Sequence, residues 1–129
     1  MILLTVGYEA ATLPDVIGRL RAAGAEVVLD VRAVAASRRA GFSKGTLRAS
    51  LEAEGIAYEH LRGLGTPKAG REAARKGRVA EMEAIFAGHM GTPEAQDALT
   101  LAVALARERR AALLCFEADA AGCHRRILA

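Results

Sequence analysis

A chain of 129 residues, 52% of them hydrophobic, fits one domain with a real core. Its net charge of +3 admits anionic partners without requiring them, although Arg far outnumbers Lys and clusters at 38–39, 71–78, 107–110 and 125–126. Two cysteines argue against a disulfide framework, and a short apolar start with no basic leader ahead of it points to a reduced, cytoplasmic protein without a membrane span. The absence of Asn, the single Gln and the abundance of Ala and Arg fit a hot habitat or a GC-rich genome equally well.

Residues 2–6 read as a short buried strand, after which Thr12 caps a helix with Pro14 in its first turn. Leu13, Ile17 and Leu20 share a face of that helix, and Gly24 closes it. Residues 26–32 are almost continuously apolar, as a strand covered on both faces should be, so the three elements form a right-handed βαβ unit. A loop over 33–42 holds Ser37, Arg38 and Arg39, Ser43 caps a helix through Leu47 and Leu51, and Gly55 stops it. Residues 56–60 alternate as a strand near a sheet edge.

A Gly and Pro loop over 61–70 then precedes one long basic helix over 71–90, with Val79, Met82, Ile85 and Phe86 at helical spacing. Lacking interleaved aromatics, its 71–78 part reads as a solvated face more readily than as a nucleic-acid binding surface. Thr92-Pro93-Glu94 opens a further helix with Leu99, Val103, Leu105 and Ala106 inward and Arg107, Arg109 and Arg110 at its C-terminal dipole. Residues 112–117 form the last strand, and a small loop with Gly122 leads to a helix start at Cys123-His124-Arg125-Arg126.

The pattern is α/β, a single three-layer domain over 1–129 with a small, mostly parallel sheet of about four strands and helices on both faces. Such sheets bind ligands at the carboxyl ends of their strands, where helix N-termini open onto a crevice. Polar residues gather at these exits: Tyr8 and Glu9, Asp30 and Arg32, His60, then Cys115 and Glu117.

Arg32, Arg38, Lys44 and Arg125 come from separate loops that this geometry brings to one edge, where guanidinium forks suit phosphate or carboxylate oxygens. Tyr8 can join them by stacking on a base or hydrogen-bonding an oxygen, whereas Phe42 can equally pin its loop to the body. Glu117, His124, His60 and Asp30 are the candidate acid and base groups, but taken singly Asp30 and Arg32 also read as a structural ion pair and His60 as a hydrogen-bonded structural residue. Cys123, at a helix start beside Arg125 and Arg126, is the candidate nucleophile; a small packed residue or a loop-closing thiol is the competing reading. A phosphatase-type Cys-x5-Arg is absent, since the position counted from Cys115 is Ala121 and from Cys123 is Ala129. Zinc would accept Cys115, Cys123, His124 and His60, but the close Cys pair of a metal site is missing, so no metal and no cofactor is assigned.

Val6-Gly7-Tyr8-Glu9, Leu29-Asp30-Val31-Arg32, Ser37-Arg38 with Gly41-Phe42-Ser43-Lys44, Gly55-Ile56-Ala57-Tyr58 with His60-Leu61 and Leu64-Gly65, and Leu114-Cys115-Phe116-Glu117 with Cys123-His124-Arg125 together resemble the family called Domain of Unknown Function 488. The resemblance runs in order over nearly the whole chain and implies a small α/β domain whose activity, as the family's name says, is not established. Members of that family usually carry a further helix and often a strand after the Cys-His-Arg motif, so the resemblance implies a C-terminally short member, in which either a partner subunit in a homodimer supplies the missing cover or the site is looser. The reading that absorbs most of these residues is an intracellular enzyme for a phosphate-bearing or otherwise anionic, nucleotide-like small molecule. Arg32, Arg38 and Arg125 would hold the anion, Glu117 and His124 would move protons, and Cys123 would attack. A nucleic-acid-binding module without catalysis, or a degenerate protein-interaction domain, are the alternatives.

Overall fold

The computed structural model of the chain describes residues 3–115 and Leu128. Four strands, β1 (Leu3–Gly7), β2 (Val27–Asp30), β3 (Ala57–His60) and β4 (Ala111–Cys115), form one sheet in the order β1-β4-β2-β3. Every neighbouring pair is parallel, so among the described residues the sheet is wholly parallel. Helices α1 (Leu13–Ala22) and α2 (Lys44–Ala53) cover one face, while α5 (Pro93–Glu108) covers the other. Two further helices, α3 (Lys68–Arg75) and α4 (Val79–Met90), pack on one another beyond α5. Among the described residues no helix is long and apolar enough to cross a membrane.

The alternation of side chains along β2 decides what lies where. Val27, Leu29 and Val31 enter the core beneath α5, whereas Val28 enters the core beneath α1 and α2. Asp30 and Arg32 continue the even-numbered side and so end up under α1 and α2 at the carboxyl end of the strand. Leu47 and Leu51 of α2 are fully buried against that face, each contributing about 1.5–3 kcal/mol of transfer energy. The pairing aligns Gly7 with Cys115 and Asp30 with both Leu114 and His60, so the strand ends finish in one row.

The local signals for α1 and α5 correspond to real caps. Thr12 accepts from the Asp15 amide while the Asp15 side chain accepts from the Thr12 amide, both at 3.3 Å. Thr92 accepts from the Ala95 amide, with Pro93 in the first turn. β3 takes an outer position, as its alternation suggests.

The helix expected over 71–90 is two helices. Gly77 at φ +76° ends α3, the Arg78 amide returns to the Ala73 carbonyl at 2.9 Å, and α4 starts at Val79. Ala73 from α3 and Met82 and Phe86 from α4 share one small core, which is why the apolar spacing looks continuous across the break. α3 also begins earlier than expected, at Lys68 behind Pro67, and a 3-10 turn occupies Arg62–Leu64 of the supposed loop. β2 is shorter than expected, with its pairing ending at Asp30. Residues 116 and 117 of the expected last strand lie outside the described residues.

Candidate functional site

The carboxyl edge of the sheet is held by a buried ion pair. Asp30 is fully buried and Arg32 is 5% exposed. Arg32 Nε donates to Asp30 Oδ1 at 2.8 Å and Nη2 to Asp30 Oδ2 at 2.7 Å, a two-point fork between planar groups. The Arg32 amide also donates to Oδ1, at 3.1 Å, and the Tyr58 hydroxyl donates to Oδ2 at 2.5 Å. Nη1 of Arg32 spans to the Tyr8 hydroxyl at 3.0 Å and the Phe42 carbonyl at 2.7 Å. His60 Nε2 lies 2.8 Å from the Arg32 carbonyl, to which it can only donate. Burial works against the Arg32 charge, but the Asp30 hydrogen bond and charge, with Tyr8, outweigh it and hold the guanidinium above its ordinary range.

Burial and then the Asp30 hydrogen bond push the Tyr58 phenol up, opposed in part by Arg32. An acid held above its ordinary value of about 10 keeps its proton in the folded chain where the unfolded chain loses it. This contribution is therefore complete below about pH 10 and is lost as pH rises beyond it. Tyr58→Phe is expected to cost about 1.5–3 kcal/mol in urea unfolding at neutral pH, and to lose less stability than the parent as the pH is raised above about 10.

The pair also fixes the loop over residues 33–42. Its Arg32 end grips the Phe42 carbonyl, and Phe42 stacks on Tyr8 with ring centroids 4.2 Å apart and planes within 9°. The Lys44 amide donates to the Ala35 carbonyl at 2.8 Å, and the Ser43 hydroxyl bridges the Ser37 amide and carbonyl. Because Ser43 is spent on Ser37, it gives α2 no side-chain cap. Arg39 Nη2 donates to the Ala11 carbonyl at 2.6 Å, tying the loop to the start of α1. Between them, residues 11–14 and 39–42 enclose a largely apolar cleft of about 490 Å³, opening at the same edge of the sheet. Nε of Arg39 is buried and lacks a hydrogen-bond partner among the described residues.

The family model described as Domain of unknown function DUF488 matches residues 12–129. The chain belongs to the DUF488 family. No curated protein and no solved structure matches it.

In this DUF488 domain, Tyr8, Asp30, Arg32 and His60 come together, but as an internal network. Both Asp30 oxygens accept from its neighbours, and the Arg32 guanidinium faces Asp30, Tyr8 and Phe42. Tyr8 is 3% exposed and its ring is covered by Phe42, which does pin its loop. Arg38 and Lys44 are exposed on the loop and at the first turn of α2, and His60 is half-buried with Nδ1 unpartnered among the described residues. Cys115 is buried at the end of β4. Among the described residues no group of three or more His, Cys, Asp or Glu could hold a metal ion. Glu117, Cys123, His124 and Arg125 lie outside the described residues.

Arg39 is the residue that sequence reasoning passed over in favour of Arg38. It is Arg39 that lines the cleft and Arg38 that points to solvent. In an irregular loop there is no period to tell the two apart.

Proposed function

We propose that this DUF488 domain is an enzyme acting on a phosphate-bearing, nucleotide-like small molecule at the carboxyl edge of its sheet. The observation that carries the reading is the cleft between residues 11–14 and 39–42, whose apolar walls meet the guanidinium of Arg39. A mostly apolar cavity with a few convergent polar groups is what a small-molecule site requires. In this reading Arg39 and the exposed Arg38 and Lys44 hold the anionic group, joined by Arg125 from the segment after β4. The Asp30–Arg32 pair is a positioning element: it holds the loop that carries Arg38 and Arg39 and neutralises its own charge in doing so. His60 through Nδ1, with Glu117 and His124, supplies proton transfer, and Cys123 the nucleophile.

A thermal-shift series with inorganic phosphate, nucleotides, divalent metals and short oligonucleotides tests the reading. Ligand at about a hundred times its Kd stabilises by roughly 2.7 kcal/mol, a shift of several degrees for a chain of this size. A nucleotide or phosphate is expected to raise the midpoint, and Arg39→Ala to weaken that response about 10- to 100-fold in apparent Kd, the worth of one charge-assisted bond. Arg125→Ala is expected to act in the same direction. A midpoint indifferent to every small anion would overturn the proposal.

A further inference from the structure

We infer that α3 and the turns at its two ends form a second, separate anion surface that binds the phosphate backbone of a nucleic-acid duplex. Residues 62–78 hold six of the chain's 18 Lys and Arg residues, at 62, 68, 71, 75, 76 and 78, and one of its 15 Asp and Glu residues, Glu72. That local excess of five positive charges exceeds the net charge of +3 for the whole chain, so the rest of the chain is net acidic. An asymmetry of this kind is the electrostatic footprint of a polyanion partner.

The structure turns the run of charges into a fixed array. Gly70 and Ala73 are the buried side of α3, seated against α4, which leaves the basic side outward. Lys68, Arg71 and Arg75 recur at intervals of three and four residues and so form one stripe along the helix. That stripe is about 10 Å long, which matches the axial span of about six duplex phosphates. Arg71 is steadied by donating from Nη1 to the Thr66 carbonyl at 3.0 Å. The positive φ of Gly77 turns the chain back, carrying exposed Lys76 and Arg78 to the end of the array, and the 3-10 turn places exposed Arg62 beyond its beginning. Among the described residues, Arg62, Lys68, Arg75 and Lys76 form no salt bridge, whereas Arg21, Arg48 and Arg78 pair with Glu54, Glu52 and Glu81.

The occupant follows from what accompanies the charges. No Phe, Tyr or Trp occurs in 62–78, so there is no platform on which unpaired bases could stack, and the surface suits the sequence-independent backbone of a duplex. A lipid surface would call for exposed apolar side chains among the cations, but the exposed large hydrophobics among the described residues, Val34 and Leu101, lie outside this stretch.

The test is fluorescence anisotropy of the full chain with a labelled mixed-sequence duplex, its single strand, and vesicles of phosphatidylcholine with phosphatidylserine, across a salt series. Four unpaired cations on phosphates predict a slope of log K against log salt of about −3.6, or roughly a hundredfold loss between about 50 and 200 mM salt. The paired substitution Lys68→Glu with Arg75→Glu should flatten that slope by about two and weaken low-salt binding at least tenfold. Arg107→Glu with Arg109→Glu, at the far end of α5, should leave binding unchanged. Circular dichroism and the melting midpoint of each variant establish that it is folded. Absence of duplex binding, a slope indifferent to the α3 substitutions, tighter binding of the single strand, or binding of vesicles in place of the duplex would each overturn the inference.

Discussion

Arg32→Met is expected to destabilise the domain by about 3–5 kcal/mol, lowering the melting midpoint by roughly 10–20 °C. The substitution leaves Asp30, fully buried, without the two guanidinium donors that neutralise it. It also strips the Phe42 carbonyl and the Tyr8 hydroxyl of their Nη1 partner, releasing the loop at the point where it is gripped. An apolar pair of similar volume carries no buried charge, so Asp30→Leu in the same chain should recover part of the loss, but not all of it, because the Tyr58 hydroxyl and the Phe42 carbonyl stay without the partners they have in the parent. The exposed pair Arg21–Glu54 gives the contrast: its side chains are 64% and 37% exposed, and Arg21→Met should cost no more than about 1 kcal/mol. Thermal and urea unfolding of the three variants measure this. Equal, small losses for Arg32→Met and Arg21→Met would mean that the buried pair does not hold the edge together.

Gly65→Ala is the second large effect, with an expected cost of about 3 kcal/mol. Gly65 has φ −77° and ψ 150°, a conformation open to any residue, so backbone freedom is not the reason for a glycine there. The reason is contact: a Cβ at this position would lie 2.3 Å from Cα and 2.4 Å from the amide nitrogen of Ala33. Both are backbone atoms, so no side chain can swing aside, and the strain falls on the residue that follows Arg32. Loss of stability should therefore be accompanied by weaker anion binding at the sheet edge. Gly88→Ala, on the exposed side of α4 with open space at its Cβ, should instead stabilise by about 0.5–1 kcal/mol. Chemical denaturation separates the two, and a Gly65→Ala protein as stable as its parent would show that Gly65 and the Ala33 backbone do not meet so closely.

Much of the fold was legible because its signals are local. Thr12 with Asp15, and Thr92 with Pro93, mark helix starts within four residues of sequence, and the apolar runs of β2 and β4 are too short and too continuous for anything but covered strands. The break at Gly77 was hidden because residues on both sides of it serve one core, so periodicity alone bridges two helices. Asp30 and Arg32 could be picked out as a polar pair at a strand end, but not how completely they are satisfied. That depends on Tyr58, brought alongside by the pairing of Val28 with Tyr58, and on Tyr8 and Phe42 from two other segments. Contacts between residues 10 to 28 positions apart leave no trace in spacing. The same limit applies at the cleft, where one residue's step along an irregular loop decides whether Arg38 or Arg39 faces the cavity.

The central claim is that the cleft beside the Asp30–Arg32 pair receives an anion. Its most direct measurement is a titration of the isotopically labelled protein with inorganic phosphate and with a nucleoside monophosphate, following each backbone amide by nuclear magnetic resonance. The account predicts saturable shifts concentrated at Thr12, Arg39, Gly41 and Phe42, and their loss in Arg39→Ala. Shifts confined to residues 68–78, or no saturable shift at the sheet edge at millimolar ligand, would contradict it.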